Sequence, residues 1–249
     1  RIWYIYHKIF YNNGCDNMAK NTLKFPFFTA DFSFPLPQEE LVLATGGRSP
    51  RQEWLLKLVQ DRRLWCIDHG LDYCYAANLL PERLIGDGDS AHTEAWNWAR
   101  EQKVKIDQFP PEKDYTDTQL ALHMAAKENA SVILTGPFGG RLDHAFSTAF
   151  SFAYSPLQGL LIDDKEALIF IKDYQSVSLD FLVQPKVLSL LAFTEEAHCV
   201  NINNVKWPLI NKDLKQGFPY SVSNEVKENP VHISVKNGIL GVYICWDFI

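Results

Sequence analysis

The chain of 249 residues is 47% hydrophobic and carries 30 acidic against 24 basic side chains, a net charge of −6. That length suffices for one large domain or two modest ones, each with its own core, and the acidic balance leaves no basic footprint for nucleic acid, so any phosphate-bearing ligand must be small and held locally. No apolar run approaches the ~20 residues of a membrane-spanning helix, and Cys15, Cys66, Cys74, Cys199 and Cys245 lack C-x-x-C or zinc-site spacing, so they read as reduced thiols of a cytoplasmic protein.

The N-terminal stretch R-I-W-Y-I-Y-H-K-I-F-Y is too polar for a signal sequence and has no cleavage site, and its lack of periodicity makes Met18 a candidate natural start. From Leu41 the pattern alternates. L-V-L-A-T (41–45) reads as a strand and R-Q-E-W-L-L-K-L-V-Q (51–60) as a helix entered at Pro50. L-W-C-I (64–67) is the next strand, Leu84 and Ile85 sit in a third, and residues 91–100 form a helix that Ser90 can cap. K-I-D-Q-F (105–109), a helix over 116–127, S-V-I-L-T (131–135) and a last helix from Leu142 to Ala153 complete the series. Five such alternations predict an α/β domain, a Rossmann-like parallel sheet with helices on both faces that binds ligands at the carboxyl ends of its strands. After Pro156 the runs become short, rich in Val and Ile and separated by turn residues, which predicts an antiparallel β-sandwich or barrel with the boundary near 155–160.

Three turns after predicted strands carry the chemistry. In I-G-D-G-D-S, Gly86, Gly88 and Ala91 fit the spacing of a dinucleotide turn, yet Asp87 and Asp89 stand between them and would repel a pyrophosphate. Structure alone explains the segment as a glycine turn with Asp89 or Ser90 capping the next helix. Two carboxylates ~5 Å apart at an effective dielectric of ~20 nevertheless cost about 3 kcal/mol, and magnesium, which takes one or two carboxylates and completes its shell with water and phosphate, relieves that cost. In F-P-P-E-K-D-Y-T-D (109–117), Thr116 can cap a helix and Asp117 complement its dipole, whereas Lys113 and Asp114 lack a structural reason. Asp114 and Asp117 beside Asp87 and Asp89 would make a four-carboxylate field with Lys113 at its rim. In T-G-P-F-G-G-R-L-D-H (135–144), Gly136, Gly139 and Gly140 let backbone approach a ligand, Arg141 offers a planar fork for phosphate oxygens, and Asp143 and His144 are open to a helix-start or a ligand role. A-T-G-G-R-S-P (44–50) repeats the glycine and arginine theme. There is no Walker loop and no G-x-S-x-G elbow, which leaves phosphoryl-group chemistry organised by acids and magnesium.

Taken in order, I-D-H-G (67–70), G-D-G-D-S (86–90), F-P-P-E-K-D-Y-T-D, G-G-R-L-D-H (139–144), V-K-W (205–207) and S-V-S-N-E (221–225) resemble the thiamine pyrophosphokinase family from about Leu41 to the C-terminus. The resemblance implies an α/β domain over 38–157 that binds ATP and metal and a β-sandwich over 158–249 that binds thiamine and dimerises, with residues 1–37 an extension outside both. It implies a homodimer with active sites between subunits, transferring pyrophosphate from ATP to thiamine and releasing AMP. Carried over by motif, Asp68, Asp87, Asp89 and Asp114 fall to magnesium and catalysis, with Asp117 a neighbouring catalytic candidate. Lys113, Gly139, Gly140, Arg141 and His144 fall to ATP, and Trp207, Ser223 and Asn224 to thiamine, whose thiazolium charge an indole face attracts. His69, Gly88 and Asn204 depart from the family pattern. The rival readings are a nucleotide- or thiamine-binding module without turnover and a dinucleotide-dependent oxidoreductase using the Gly86 turn.

Overall fold

Apolar runs bounded by turn residues become strands throughout the computed structural model, which describes residues 20–87, 91–110, 112 and 114–247. The elements in order are β1 (Thr22–Lys24), β2 (Phe28–Phe32), β3 (Glu39–Ala44), α1 (Gln52–Val59), β4 (Arg63–Ile67), α2 (Gly70–Ala76), β5 (Arg83–Gly86), α3 (Thr93–Glu101), β6 (Lys105–Gln108), α4 (Asp117–Ala125), β7 (Ala130–Thr135) and α5 (Leu142–Ala153). There follow β8 (Gly159–Ile162), β9 (Glu166–Ile171), β10 (Ser176–Phe181), β11 (Val187–Ala192), β12 (Glu196–Ile202), β13 (Leu209–Lys215), β14 (Val231–Ser234) and β15 (Leu240–Cys245).

One sheet runs β11-β15-β9-β8-β7-β3-β4-β5-β6. From β8 to β6 every neighbouring pair is parallel. The side-chain period of two sorts β3 between two layers. Val42 and Ala44 pack with Leu55 and Leu58 of α1, Leu71 of α2 and Trp96 of α3, while Leu41 and Leu43 pack with Leu122 of α4 and Phe152 of α5. Helices therefore cover both faces. The chain builds outward from β3 through β4, β5 and β6, then returns to place β7 on the other side of β3. The order reverses there, which opens a crevice above the strand tips.

The second sheet, β1-β2-β10-β14-β12-β13, is antiparallel throughout. Its Leu179, Val231, Ile233 and Val200 share a core with Ile169, Ile171, Leu188, Val242 and Ile244 of the first sheet, so the second half of the chain is a sandwich. One of its layers continues the parallel sheet: β8 lies parallel to β7, with Val132 opposite Gly159, and β9, β15 and β11 extend it antiparallel. The expected boundary at 157/158 thus falls at the entry to a strand inside the first sheet.

Residues 20–37 are not an extension, as the sequence pattern suggests. They supply β1 and β2, and β2 pairs with β10 in the register Ser178 to Asp31 and Leu179 to Ala30. Leu23, Phe28 and Ala30 are fully buried, and the Phe28 ring stacks 5.5 Å from that of Trp246. Burying those aromatic side chains is what binds the segment. The rest of the expected extension, Met18 and Cys15 included, lies outside the described residues, as do Gly88, Asp89, Ser90 and Lys113.

Candidate active site

The tips of β3, β4, β5 and β7 and the segment after β6 converge on one cleft of about 680 Å³. Asp68, Asp87, Asp114 and Asp117 line it, as do Gly46, Gly47, Gly139, Gly140, Arg141 and His144. Asp68 ends β4 in the left-handed region, φ 47°, which a short polar side chain tolerates. Its N–H donates to the Ile85 carbonyl (3.1 Å) and its own carbonyl accepts from Leu71 N–H (3.0 Å), fastening β4 to β5 and to α2. Its carboxylate rests on Gly86, where a Cβ would come 2.2 Å from Oδ1. Gly86 therefore makes room for a neighbouring carboxylate within the fold, which accounts for a glycine beside acids better than a pyrophosphate turn does. Gly70 is required for a similar reason, since a Cβ there would lie 1.9 Å from the Ala44 carbonyl oxygen.

Around this acidic wall the chain is tied down locally. Gln108 Nε2 donates to the Asp87 carbonyl at 2.8 Å. Thr116 and Gln119 form a capping box, Gln119 N–H donating to Thr116 Oγ1 (3.2 Å) and Thr116 N–H to Gln119 Oε1 (3.0 Å), so Asp117 opens α4 at the positive end of its dipole. Gln119 also donates to Ser151 Oγ of α5 (3.0 Å). His69 and His92 both contact Asp72, His69 Nδ1 at 3.1 Å and His92 N–H at 2.9 Å. At the order reversal Tyr73, unremarked in the sequence, donates its hydroxyl to the Thr45 carbonyl (3.0 Å) and lies 3.3 Å from that of Thr135. Burial pushes its phenol well above the ordinary range, so it remains a donor.

The opposite wall is glycine-rich. Gly47 N–H donates to the Gly136 carbonyl (2.9 Å) and Arg48 N–H to that of Phe138 (2.6 Å). A Cβ at Gly47 would meet the Gly136 oxygen at 2.4 Å, so the two turns lie backbone against backbone. Arg141 is exposed and grips Asp143, Nε to Oδ1 at 3.1 Å and Nη2 to Oδ2 at 2.6 Å. That hydrogen bond holds the Asp143 carboxyl below its usual range and the guanidinium above its own. Asp143 is thus Arg141's resting partner.

Trp207, Ser223 and Asn224 line no part of this cleft. Trp207 is half exposed, with Lys206 Nζ 4.5 Å above its ring and itself bound to Glu225 (2.7 Å). Ser223 adopts φ 60° and its N–H donates to Ser189 Oγ (2.9 Å). Asn224, expected at the ligand, is buried and committed elsewhere: Nδ2 donates to the Trp207 carbonyl (2.8 Å), and Oδ1 accepts from the N–H of Trp207 (3.1 Å) and of Glu225 (2.9 Å). A groove of about 760 Å³ on the second sheet holds a Ser178–His232 pair at 2.6 Å. It has no comparable convergence of carboxylates.

The fold and cleft define the class as an α/β protein with a doubly wound sheet whose strand-tip crevice carries carboxylates on one wall and glycine turns with an arginine on the other. Residues 56–158 match the family model described as the catalytic domain of thiamin pyrophosphokinase, and residues 176–240 match that family's vitamin B1 binding domain. The chain belongs to the thiamin pyrophosphokinase family, whose members are ATP-dependent pyrophosphotransferases. It is 25% identical over 203 residues to a thiamine pyrophosphokinase of Bacillus subtilis, covering 80% of this chain and 94% of that one. The fold matches the crystal structure of the Bacillus subtilis enzyme with a TM-score of 0.75 at 21% identity, over 84% of this chain and all of that one. It also matches the Candida albicans thiamin pyrophosphokinase with a TM-score of 0.65 at 13% identity, over 83% and 90% of the two chains. Among the described residues no helix is long and apolar enough to cross a membrane.

Proposed function

We propose that the strand-tip cleft is where this chain carries out its family's reaction, transferring the pyrophosphoryl group of ATP to the hydroxyethyl oxygen of thiamine and releasing AMP. The observation that carries the reading is the convergence of Asp68, Asp87, Asp114 and Asp117 from three separate segments opposite two interlocked glycine turns. Magnesium suits this donor set. The acids offer hard oxygens to an ion that takes one or two carboxylates and fills its shell with phosphate and water. Its carboxylate ligands, one or two at a time, would come from Asp68, Asp87, Asp89 and Asp114. When bound it supplies charge neutralisation on the phosphate oxygens.

The chain's own groups do the rest. Amides of Gly139 and Gly140 approach the phosphates closely, and Arg141 exchanges Asp143 for phosphate oxygens that match its fork. His144 and Lys113 add contacts at the rim. A carboxylate of the acidic set accepts the thiamine hydroxyl proton as its oxygen bonds to the β-phosphorus and the bond from that phosphorus to the bridging oxygen of AMP breaks. Thiamine stacks on Trp207, a contact of about 0.5 to 2 kcal/mol for a cation on an indole. Trp207 lines no part of the cleft of its own chain, so a second copy completes the site. Support comes from α5, whose first turn lines the cleft and whose Leu142 and Phe146, about one turn apart, stand exposed, as does Tyr154 just past its end. The free thiols of Cys66, Cys74 and Cys245, all buried, fit a reducing cytoplasm.

The test is direct. Wild-type protein given thiamine and Mg-ATP forms thiamine diphosphate and AMP, and Asp87→Asn and Asp114→Asn do not. Undiminished turnover in both variants overturns the site, and thiamine binding without AMP release favours a module that only binds.

A further inference from the structure

A half-buried ionic network, centred on a fully buried Asp163, lies outside the stretches that either family model matches, and the proposed chemistry leaves it unused. Arg48 directly follows the glycines of the cleft, yet its side chain is spent elsewhere. Nε and Nη2 donate to Asp163 Oδ2 at 2.9 and 2.7 Å, and Nη2 also donates to Glu166 Oε1 at 2.6 Å. Asp163, fully buried just beyond β8, accepts the N–H groups of Lys165 (2.8 Å) and Glu166 (2.9 Å) on Oδ1. Glu166 Oε2 accepts the Tyr243 hydroxyl at 2.8 Å. Burial works against the Arg48 charge, but the bonds to Glu166 and Asp163 outweigh it and hold the guanidinium above its ordinary range.

Stability alone is a poor reason for this network. A buried ion pair seldom outperforms well-packed apolar residues, and Arg48 Nη1 is buried without a hydrogen-bond partner among the described residues, which is a cost. The backbone of Arg48 supplies a better reason. Its N–H donates to the Phe138 carbonyl, the preceding residue's N–H to that of Gly136, and its Cβ sits 2.9 Å from where a Cβ on Gly139 would be. One residue therefore ties the turn after β3 to the turn after β7, while its side chain ties both to the corner between β8 and β9.

We propose that Arg48, held by Asp163, is a positioning residue that fixes the two glycine turns at the separation the triphosphate of ATP requires. This rests on the reading of the cleft as the nucleotide site. Arg48→Met leaves the Asp163 charge buried alone and destabilises the chain. Arg48→Met/Asp163→Asn removes the fully buried charge together with its partner, leaves the more accessible Glu166 on the Tyr243 hydroxyl, and recovers most of the thermal stability, so it separates stability from position. In the double variant the KM for Mg-ATP rises about tenfold while that for thiamine stays within about twofold, as loss of positioning at one subsite predicts. Backbone amides of residues 45–48 and 136–140 in the ligand-free double variant exchange with solvent about tenfold faster than in wild type. A wild-type KM for Mg-ATP, or unchanged exchange in those turns, overturns the proposal. Failure of wild-type protein to release AMP defeats the functional reading instead, and the exchange measurement still decides the role of Arg48.

Discussion

Replacing Asn224 with Ala separates a residue that touches ligand from one that holds the residue that does. The substitution deletes three hydrogen bonds, those of Nδ2 to the Trp207 carbonyl and of the Trp207 and Glu225 amides to Oδ1. At about 1 kcal/mol net for each, and with water able to reach the freed groups beside a half-exposed Trp207, the cost is about 2 kcal/mol. For a chain of this size that lowers the unfolding midpoint by roughly 4 to 8 °C. Asn224→Asp keeps both acceptor bonds but sets a buried carboxylate oxygen against the Trp207 carbonyl, and so costs at least as much. Trp207→Ala perturbs the midpoint little, because the ring is 53% exposed and its contact with Lys206 is worth under about 1 kcal/mol. In turnover assays Asn224→Ala and Trp207→Ala each raise the KM for thiamine about tenfold and leave that for Mg-ATP unchanged, and the double variant is no worse than Trp207→Ala alone. Additive losses in the double variant, or an Asn224→Ala chain as stable as wild type, refute the assignment of Asn224 as the support of Trp207.

Gly86→Ala drives a Cβ into the Asp68 carboxylate, the far end of a short side chain that can rotate away. Stability therefore falls by only about 1 kcal/mol, while turnover falls about 100-fold because the displaced acid no longer faces the cleft; a wild-type kcat would show that the Asp68 rotamer is immaterial. Tyr73→Phe removes the hydroxyl between the Thr45 and Thr135 carbonyls, which costs about 1 to 2 kcal/mol and is read as a lower midpoint in urea; an unchanged midpoint refutes the pin. Chelating divalent metal with EDTA abolishes AMP formation and added magnesium restores it, measured by chromatography of the nucleotide products; AMP formation that survives chelation refutes the metal requirement.

The parallel half was legible because its signals are local. L-V-L-A, L-W-C-I and S-V-I-L-T are runs of strand formers ended by turn residues, and α1 and α5 show the helical period between them. Acids at strand tips were legible for the same reason, since topology alone sends consecutive parallel strands to one edge. What escaped depends on partners far along the chain. The segment F-P-F-F-T-A-D-F is broken by Pro26 and crowded with aromatics, and nothing within it announces that β2 will pair with β10, about 145 residues later. Ser155 and Pro156 read as a boundary, yet β8 joins the sheet it was expected to leave. Arg48 read only as part of a turn repeating the glycine and arginine theme, and its carboxylate lies 115 positions away at the end of G-L-L-I-D, where a lone acid after a strand looks like any turn residue. Gly86 is the sharpest case. Its spacing pointed to a ligand, but the oxygen that excludes a Cβ belongs to Asp68, on the neighbouring strand. A glycine at a strand tip records that something comes close, and only the paired strand tells whether it is substrate or the protein's own carboxylate.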